Sequence, residues 1–155
     1  MGKLVSQEEI VKIVREGQSN GKTFAATNGC FDILHTGHVR YLQKTKSLAD
    51  FSIVMLNSDK SVKLIKGDSR PINSESDRAE ILSALSSVDY VVLFEERSPA
   101  DLLEKIKPDI YTKGADYTIE TLPERDIVEK CGIRVEFIEF VQGKSTTGII
   151  NKINK

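Results

Sequence analysis

The sequence holds two histidines, and both fall in NGCFDILHTGHVRYL (28–42), as His35 and His38 with Gly37 between them. Three chemistries could use such a pair. At i and i+3 on a helix the imidazoles share a face, and with Asp32 and Cys30 nearby they invite a metal ion. Zinc sites draw on more ligands than this, and no further histidine exists to complete a set, so no metal centre built on His or Cys is expected. A second reading makes one or both rings hydrogen-bonded polar groups without a ligand, but it must account for two of them at one strand-to-helix junction. The third is an anion site. The first turn of a helix exposes unpaired N–H groups and a positive dipole end, to which imidazoles add donors. Gly37 lets a phosphate approach the backbone, and Gly29 permits a tight turn out of the preceding strand. The dipole alone contributes about 0.3–2 kcal/mol. Donors preorganised for charge that develops in a transition state contribute about 3–4 kcal/mol each. The pair therefore points to catalysis of phosphoryl or nucleotidyl transfer.

The surrounding elements must position that pair. TFAAT (23–27) is a short apolar run suited to a buried strand directly before the motif. A helix over 38–49, the strand FSIVMLN (51–57) and a long basic loop with room for one helical turn, SDKSVKLIKGDSRPIN (58–73), come next. A helix over 74–86 is predicted to face the core with Ile81, Ala84, Leu85 and Val88. Strand 89–94 precedes a helix opened by Ser98 as N-cap and Pro99 as its first residue. Strand DIYTKG (109–114), a helix near 121–131 closed by Gly132, strand 134–140 and a helix from STTGIINKI (145–153) complete the chain. At the start, SQEE (6–9) supplies a capping box for an opening helix, a plainer use of Ser6 than the myristoylation-like pattern of MGKLVS.

Such alternation indicates an α/β fold, a Rossmann-like, doubly wound, parallel five-stranded sheet with helices on both faces. One domain is expected over 1–155, with an N-terminal helix and turn at 1–22 and the α/β core at 23–155. Ligands of such sheets bind beyond the carboxyl ends of the strands where strand order reverses. That rule brings together NGCFDILHTGH, KGADY (113–117) and VQGKSTT (141–147).

With 22 Lys+Arg against 23 Asp+Glu the net charge is −1, so no global field argues for nucleic acid or an anionic membrane. Cys30 and Cys131 fit no C-x-x-C spacing and no apolar N-terminal run is present, which suits a reducing cytoplasm. GQSNGKT (17–23) ends like a P-loop, but its glycines are too close and it precedes a strand. QGKST lacks the upstream glycine, and no G-x-G-x-x-G occurs, which argues against a P-loop kinase and an ordinary dinucleotide dehydrogenase.

HTGH (35–38) after a first strand, together with STT (145–147) opening the last helix, resembles the H-x-G-H nucleotidyltransferase superfamily. Within it the chain is similar to the bacterial heptose-1-phosphate adenylyltransferases over nearly its whole length. The similarity runs through TNGCFDILHTGH (27–38), NSD (57–59), KGDSRPIN (66–73), KGADY and KSTTGIINKI (144–153), of which KGDSRP and KGADY weigh most for the heptose branch. The resemblance implies transfer of AMP from ATP to D-glycero-β-D-manno-heptose 1-phosphate, giving ADP-heptose for the lipopolysaccharide inner core. It further implies Mg²⁺ shared by the phosphates, a heptose kinase on a separate chain, and a homodimer, the state in which related proteins often occur.

Residue roles follow from the same resemblance. His35 and His38 would bind the ATP phosphates and stabilise the transition state, with Asn28, Gly29, Gly37 and the N–H groups around Cys30 and Phe31 assisting. Lys66 would contact phosphates, with Lys63, Arg70 and Arg78 as weaker candidates. Ser145, Thr146 and Thr147 would meet the β- and γ-phosphates, and Lys113, Gly114 and Asp116 would line the adenosine pocket. Asp32, Asn57 and Asp59 would face the sugar, and Asp32 or Asp59 also a metal. Plainer uses stay open: an N-cap for Ser145, a turn for Asp32, a loop cap for Asp59 and a solvated charge for Lys63. The attacking phosphate oxygen is already ionised, so no general base is required. Ala49 stands where a glycine commonly precedes Asp50, and Cys30 reads as a small buried residue. A glycerol-3-phosphate cytidylyltransferase is the alternative within this chemistry, and a non-catalytic nucleotide-binding module the alternative outside it.

Overall fold

The computed structural model describes residues 1–139 and 145–154. In chain order the elements are β1 (Lys3–Val5), α1 (Gln7–Ser19), β2 (Phe24–Gly29), α2 (Thr36–Ser47), β3 (Phe51–Asn57), α3 (Asp59–Lys66), α4 (Glu75–Ser83), β4 (Tyr90–Phe94), α5 (Ala100–Ile106), β5 (Ile110–Gly114), α6 (Arg125–Cys131), β6 (Arg134–Ile138) and α7 (Thr146–Ile153). The strands form one sheet in the order β1-β4-β3-β2-β5-β6, and every pairing is parallel. Strand order therefore reverses between β2 and β5. The Rossmann-like, doubly wound architecture expected from the sequence is present, with six strands in place of five.

Alternation along β3 shows why this sheet needs helices on both faces. Ile53 and Met55 enter one core with Phe24, Tyr111 and the apolar residues of α1, α5 and α6. Val54 and Leu56 enter the other with Phe31, Leu42 of α2, and Ala79 and Leu82 of α4. A strand buried on both sides reads as a continuous apolar run, which FSIVMLN is. Each fully buried aliphatic chain of this kind contributes about 1.5–3 kcal/mol relative to exposure.

Four local readings change. Residues Lys3–Val5 pair in parallel with Tyr90, Val91 and Val92, adding β1 at the sheet edge, and the Gly2 N–H donates to the Ser83 carbonyl. Ser6 Oγ accepts from the Glu9 N–H and caps α1, the plainer of its two expected uses. The segment 58–73 holds more than the single helical turn expected in it. Ser58 Oγ accepts from the Ser61 N–H and opens the two-turn helix α3, which stops at Gly67 with φ +95°. The predicted core stripe of α4 is displaced, since Ile81 is 44% exposed while Arg78, Ala79 and Leu82 are buried. Finally, Pro99 is the N-cap of α5 and Ser98 precedes it, one residue from the expected start. The expected strand residue Phe140 and the loop residues VQGK (141–144) lie outside the described residues.

Candidate active site

The carboxyl end of β2 runs straight into the histidine motif. His35 is the N-cap of α2, and its backbone N–H donates to His38 Nδ1 at 3.4 Å. The two rings stack with centroids 3.8 Å apart at 24°. Phe31 meets His38 edge-on at 5.1 Å and takes φ +45°, a backbone conformation rarely adopted by a bulky side chain. Its ring also explains Gly29, where a Cβ would come within 2.7 Å of Phe31 Cε2. Gly29 has no positive φ, so close packing and not the expected tight turn is what requires a glycine there.

Burial and the neighbouring His35 lower His38 to a pKa of about 4 from 6.5, so the ring is neutral near pH 7. Because Nδ1 accepts from the His35 N–H, the neutral ring carries its proton on Nε2 and can donate from there. Burial pushes the Cys30 thiol up despite Lys66, Arg78 and Arg70, which fits the reading of Cys30 as a small packing residue and not a nucleophile.

A cavity of about 750 Å³ opens over this junction at the strand carboxyl ends, within the range of about 300–1,000 Å³ typical of ligand sites. Among the described residues its wall includes Asn28, Gly29, Cys30, Phe31, Asp32, His35, Gly37 and His38 from the β2 side. Asn57 and Lys66 come from β3 and α3, Arg70 from the segment after α3, and Lys113 and Gly114 from β5. Ser145, Thr146 and Thr147 close it from α7. The last helix is tied to the motif directly, as Thr146 Oγ1 donates to the Ile33 carbonyl at 2.9 Å. Ser145 Oγ accepts from the Gly148 N–H at 2.8 Å and is the helix cap.

Other expected site residues stand elsewhere or are already engaged. Arg78 has no exposed side-chain surface and lies outside the cavity wall. Its guanidinium donates to the carbonyls of Asn73, Cys30 and Asn57 and to Asp59 Oδ1, all within 2.7–3.0 Å. It is a strut beneath the site, and Asp59, likewise outside the wall, is its counter-ion. Asp32 reaches the wall, but both of its carboxylate oxygens accept bonds, from Arg70 Nε and from the Ile72 and Asn73 N–H groups. Burial works to raise Asp32, yet those donors outweigh it and hold the carboxyl below its ordinary value. Its oxygens are not open for a cation, and the described residues contain no cluster of three or more His, Cys, Asp or Glu suited to a metal. Asp116 and Lys63 are exposed and outside the wall.

The structure also adds wall residues to which the sequence assigns no ligand role: Tyr41, Ile65, Arg97, Ser98, Tyr117 and Glu124 among them. Glu124 is 3% exposed and approaches Lys113 at 3.7 Å, while Lys113 Nζ also faces Asn28 Oδ1 and the Tyr111 hydroxyl. Burial lowers Lys113 more than Glu124 raises it. The signal that could have found Arg97 and Ser98 is positional, since FEERSP follows a parallel strand at its carboxyl end, where such sheets bind ligands.

The family described as cytidylyltransferase-like matches residues 26–152. The chain belongs to that family. Among curated relatives, the bifunctional protein HldE of Syntrophotalea carbinolica is 50% identical over 151 residues. That of Campylobacter concisus is 53% identical over the same length. Each alignment covers 97% of this chain and 31% of the relative, so the cytidylyltransferase-like chain spans about a third of their length. A solved structure, the lipopolysaccharide core biosynthesis protein of Thermoplasma volcanium GSS1, superimposes with TM-score 0.63 at 31% identity, covering 80% of this chain and all of that one. Among the described residues, no helix is long and apolar enough to cross a membrane.

Proposed function

We propose that this chain is a nucleotidyltransferase that moves AMP from ATP to D-glycero-β-D-manno-heptose 1-phosphate in the cytoplasm, giving ADP-heptose and pyrophosphate for lipopolysaccharide core synthesis. The observation that carries the reading is the stacked His35–His38 pair at the start of α2, facing one cavity with the start of α7. The roughly 50% identity to HldE proteins and the KGDSRP and KGADY segments favour the heptose phosphate over glycerol 3-phosphate.

In the reaction an oxygen of the sugar phosphate attacks the α-phosphorus, the α–β anhydride bond breaks, and its electron pair leaves with pyrophosphate. The nucleophile needs no deprotonation, so the protein's work is positioning and charge stabilisation. His38, neutral, donates from Nε2 to a phosphate oxygen, and His35 holds it through the backbone bond to Nδ1. The first-turn N–H groups of α2 and α7 add donors with the favourable end of each helix dipole. Lys66 and Lys113 supply positive charge on opposite walls. Mg²⁺ fits only as an ion carried by the phosphates, because the Asp32 oxygens are already hydrogen-bonded; it would neutralise phosphate charge. Pyrophosphate release by purified protein, with ATP or CTP paired with the heptose phosphate or glycerol 3-phosphate, tests the reading. Release with ATP and the heptose phosphate alone is expected, release only with CTP and glycerol 3-phosphate replaces the substrates, and silence with every pair overturns catalysis.

A further inference from the structure

The sequence nominates Arg70 and Arg78 as weaker candidates for contacting phosphates, but Arg70 is tied to Asp32 at 2.8 Å and Arg78 is buried against Asp59 and backbone carbonyls. A third arginine reaches the cavity wall. Arg97 is exposed, and among the described residues its guanidinium has no hydrogen-bond or ion-pair partner. Its backbone is nevertheless well placed. Ser61 Oγ donates to the Glu96 carbonyl at 2.6 Å, and the Ser58 N–H donates to the Phe94 carbonyl at 2.9 Å. These bonds lock the loop after β4 to α3, the helix that ends in Lys66.

Strand order then says which substrate Arg97 meets. Lys113 lies on β5, and α7 follows β6 at the sheet edge beyond β5 and meets the histidine loop through Thr146 and the Ile33 carbonyl, whereas β4 lies two strands from β2 on the other side. At about 4.8 Å per strand, the β4 loop is centred roughly 10 Å from the histidine motif, within an arginine's reach of a ligand lying between them. In-line displacement puts the attacking group and the departing pyrophosphate on opposite sides of the α-phosphorus. With pyrophosphate on the α7 side, the acceptor enters from the side of β3 and β4. We infer that Arg97 is an acceptor-binding residue that, with Lys66, receives the phosphate group of the sugar phosphate.

The inference rests on the nucleotidyl-transfer reading, and a binding experiment separates the two. Wild type, Arg97→Ala and Arg97→Lys are each loaded with α,β-methylene-ATP, which cannot be cleaved at the α–β bond, and titrated with D-glycero-β-D-manno-heptose 1-phosphate. Arg97→Ala is expected to weaken sugar-phosphate binding roughly tenfold to hundredfold, leave the nucleotide analogue within about twofold, and be partly restored in Arg97→Lys. Unchanged sugar-phosphate binding, or equal weakening of both ligands, overturns it. Sugar-phosphate binding by a wild type that turns nothing over defeats the catalytic reading while leaving Arg97 to the same comparison. If wild type binds no heptose phosphate, that acceptor is wrong, and titration with glycerol 3-phosphate and inorganic phosphate decides Arg97: weakening confined to Arg97→Ala supports it, and equal binding by all three proteins overturns it.

Discussion

At the amino ends of the strands, Asp50, Asp89 and Asp109 precede β3, β4 and β5, and each accepts a backbone N–H at or just before the start of the neighbouring strand: Thr23, Ser52 and Phe24 respectively. Asp89 also holds Lys46 at 2.7 Å, and Asp109 accepts from Gln18. At the carboxyl ends, His35, His38, Lys66 and Arg97 instead line an open cavity. A parallel sheet leaves unpaired groups at both ends. Here one end closes them with its own carboxylates, and the other keeps donors available for a polyanion. Charged residues therefore predict function only when their place along the strand is known.

The largest expected effect is at the open end. Removing one donor that acts on developing charge costs about 10²–10³ in kcat. His38→Ala, which removes the Nε2 donor, is expected to lose that much while its unfolding midpoint in urea stays near wild type. Full activity in the variant would remove the histidine pair from the chemistry. A large stability loss would place it with the closed end.

Arg78 breaks the simple division, being a cation at the open end used as structure. Arg78→Ala leaves Asp59 and the carbonyls of Asn73, Cys30 and Asn57 without their partner. A loss of roughly 3 kcal/mol in urea denaturation is expected, at the low end for a broken buried pair because Asp59 is partly exposed. If stability holds and only the acceptor's KM rises, Arg78 is the ligand that its sequence context suggested. Asp109→Ala sharpens the contrast at the closed end, since it removes the acceptor for the Phe24 N–H and for Gln18 Nε2. About 1–3 kcal/mol of stability should go, with KM for both substrates unchanged.

Which of these assignments could be read in advance follows a physical rule. The motif at 28–38 and the STT start of α7 were legible because local spacing builds them, and Thr146 bonds the Ile33 carbonyl and shares a cavity wall with His35, as the strand-order rule requires. β1 was not legible, because three residues become a strand only through pairing with β4. α3 was hidden by its charge and by the turn residues beyond it, although Ser58 carried the cap. Ile81 looked like core because apolar periodicity assumes that the buried face is apolar. Arg78, buried by its bonds to the β2 and β3 ends, turns α4 the other way. Arg97 and Glu124 come from loops that only the sheet order brings to the site.

The smallest effect is the most direct probe of the open end. His38 titrates near pH 4 in the free protein, below its ordinary 6.5, because burial and then the neighbouring His35 disfavour its charged form. The sign for stability follows from linkage. Between about pH 6.5 and 4 the unfolded chain takes up the proton and the folded one does not, so stability is full above 6.5 and falls on acidification through that window. A bound triphosphate reverses the local field, since an anion beside the ring favours imidazolium and raises the pKa. Imidazole NMR titrations with and without α,β-methylene-ATP should therefore show His38 moving up toward its ordinary value when the nucleotide is present. A ring that stays near pH 4 in the complex is not beside the phosphates, and the donors at the start of α2 would then serve the fold, as the carboxylates do at the other end of the sheet.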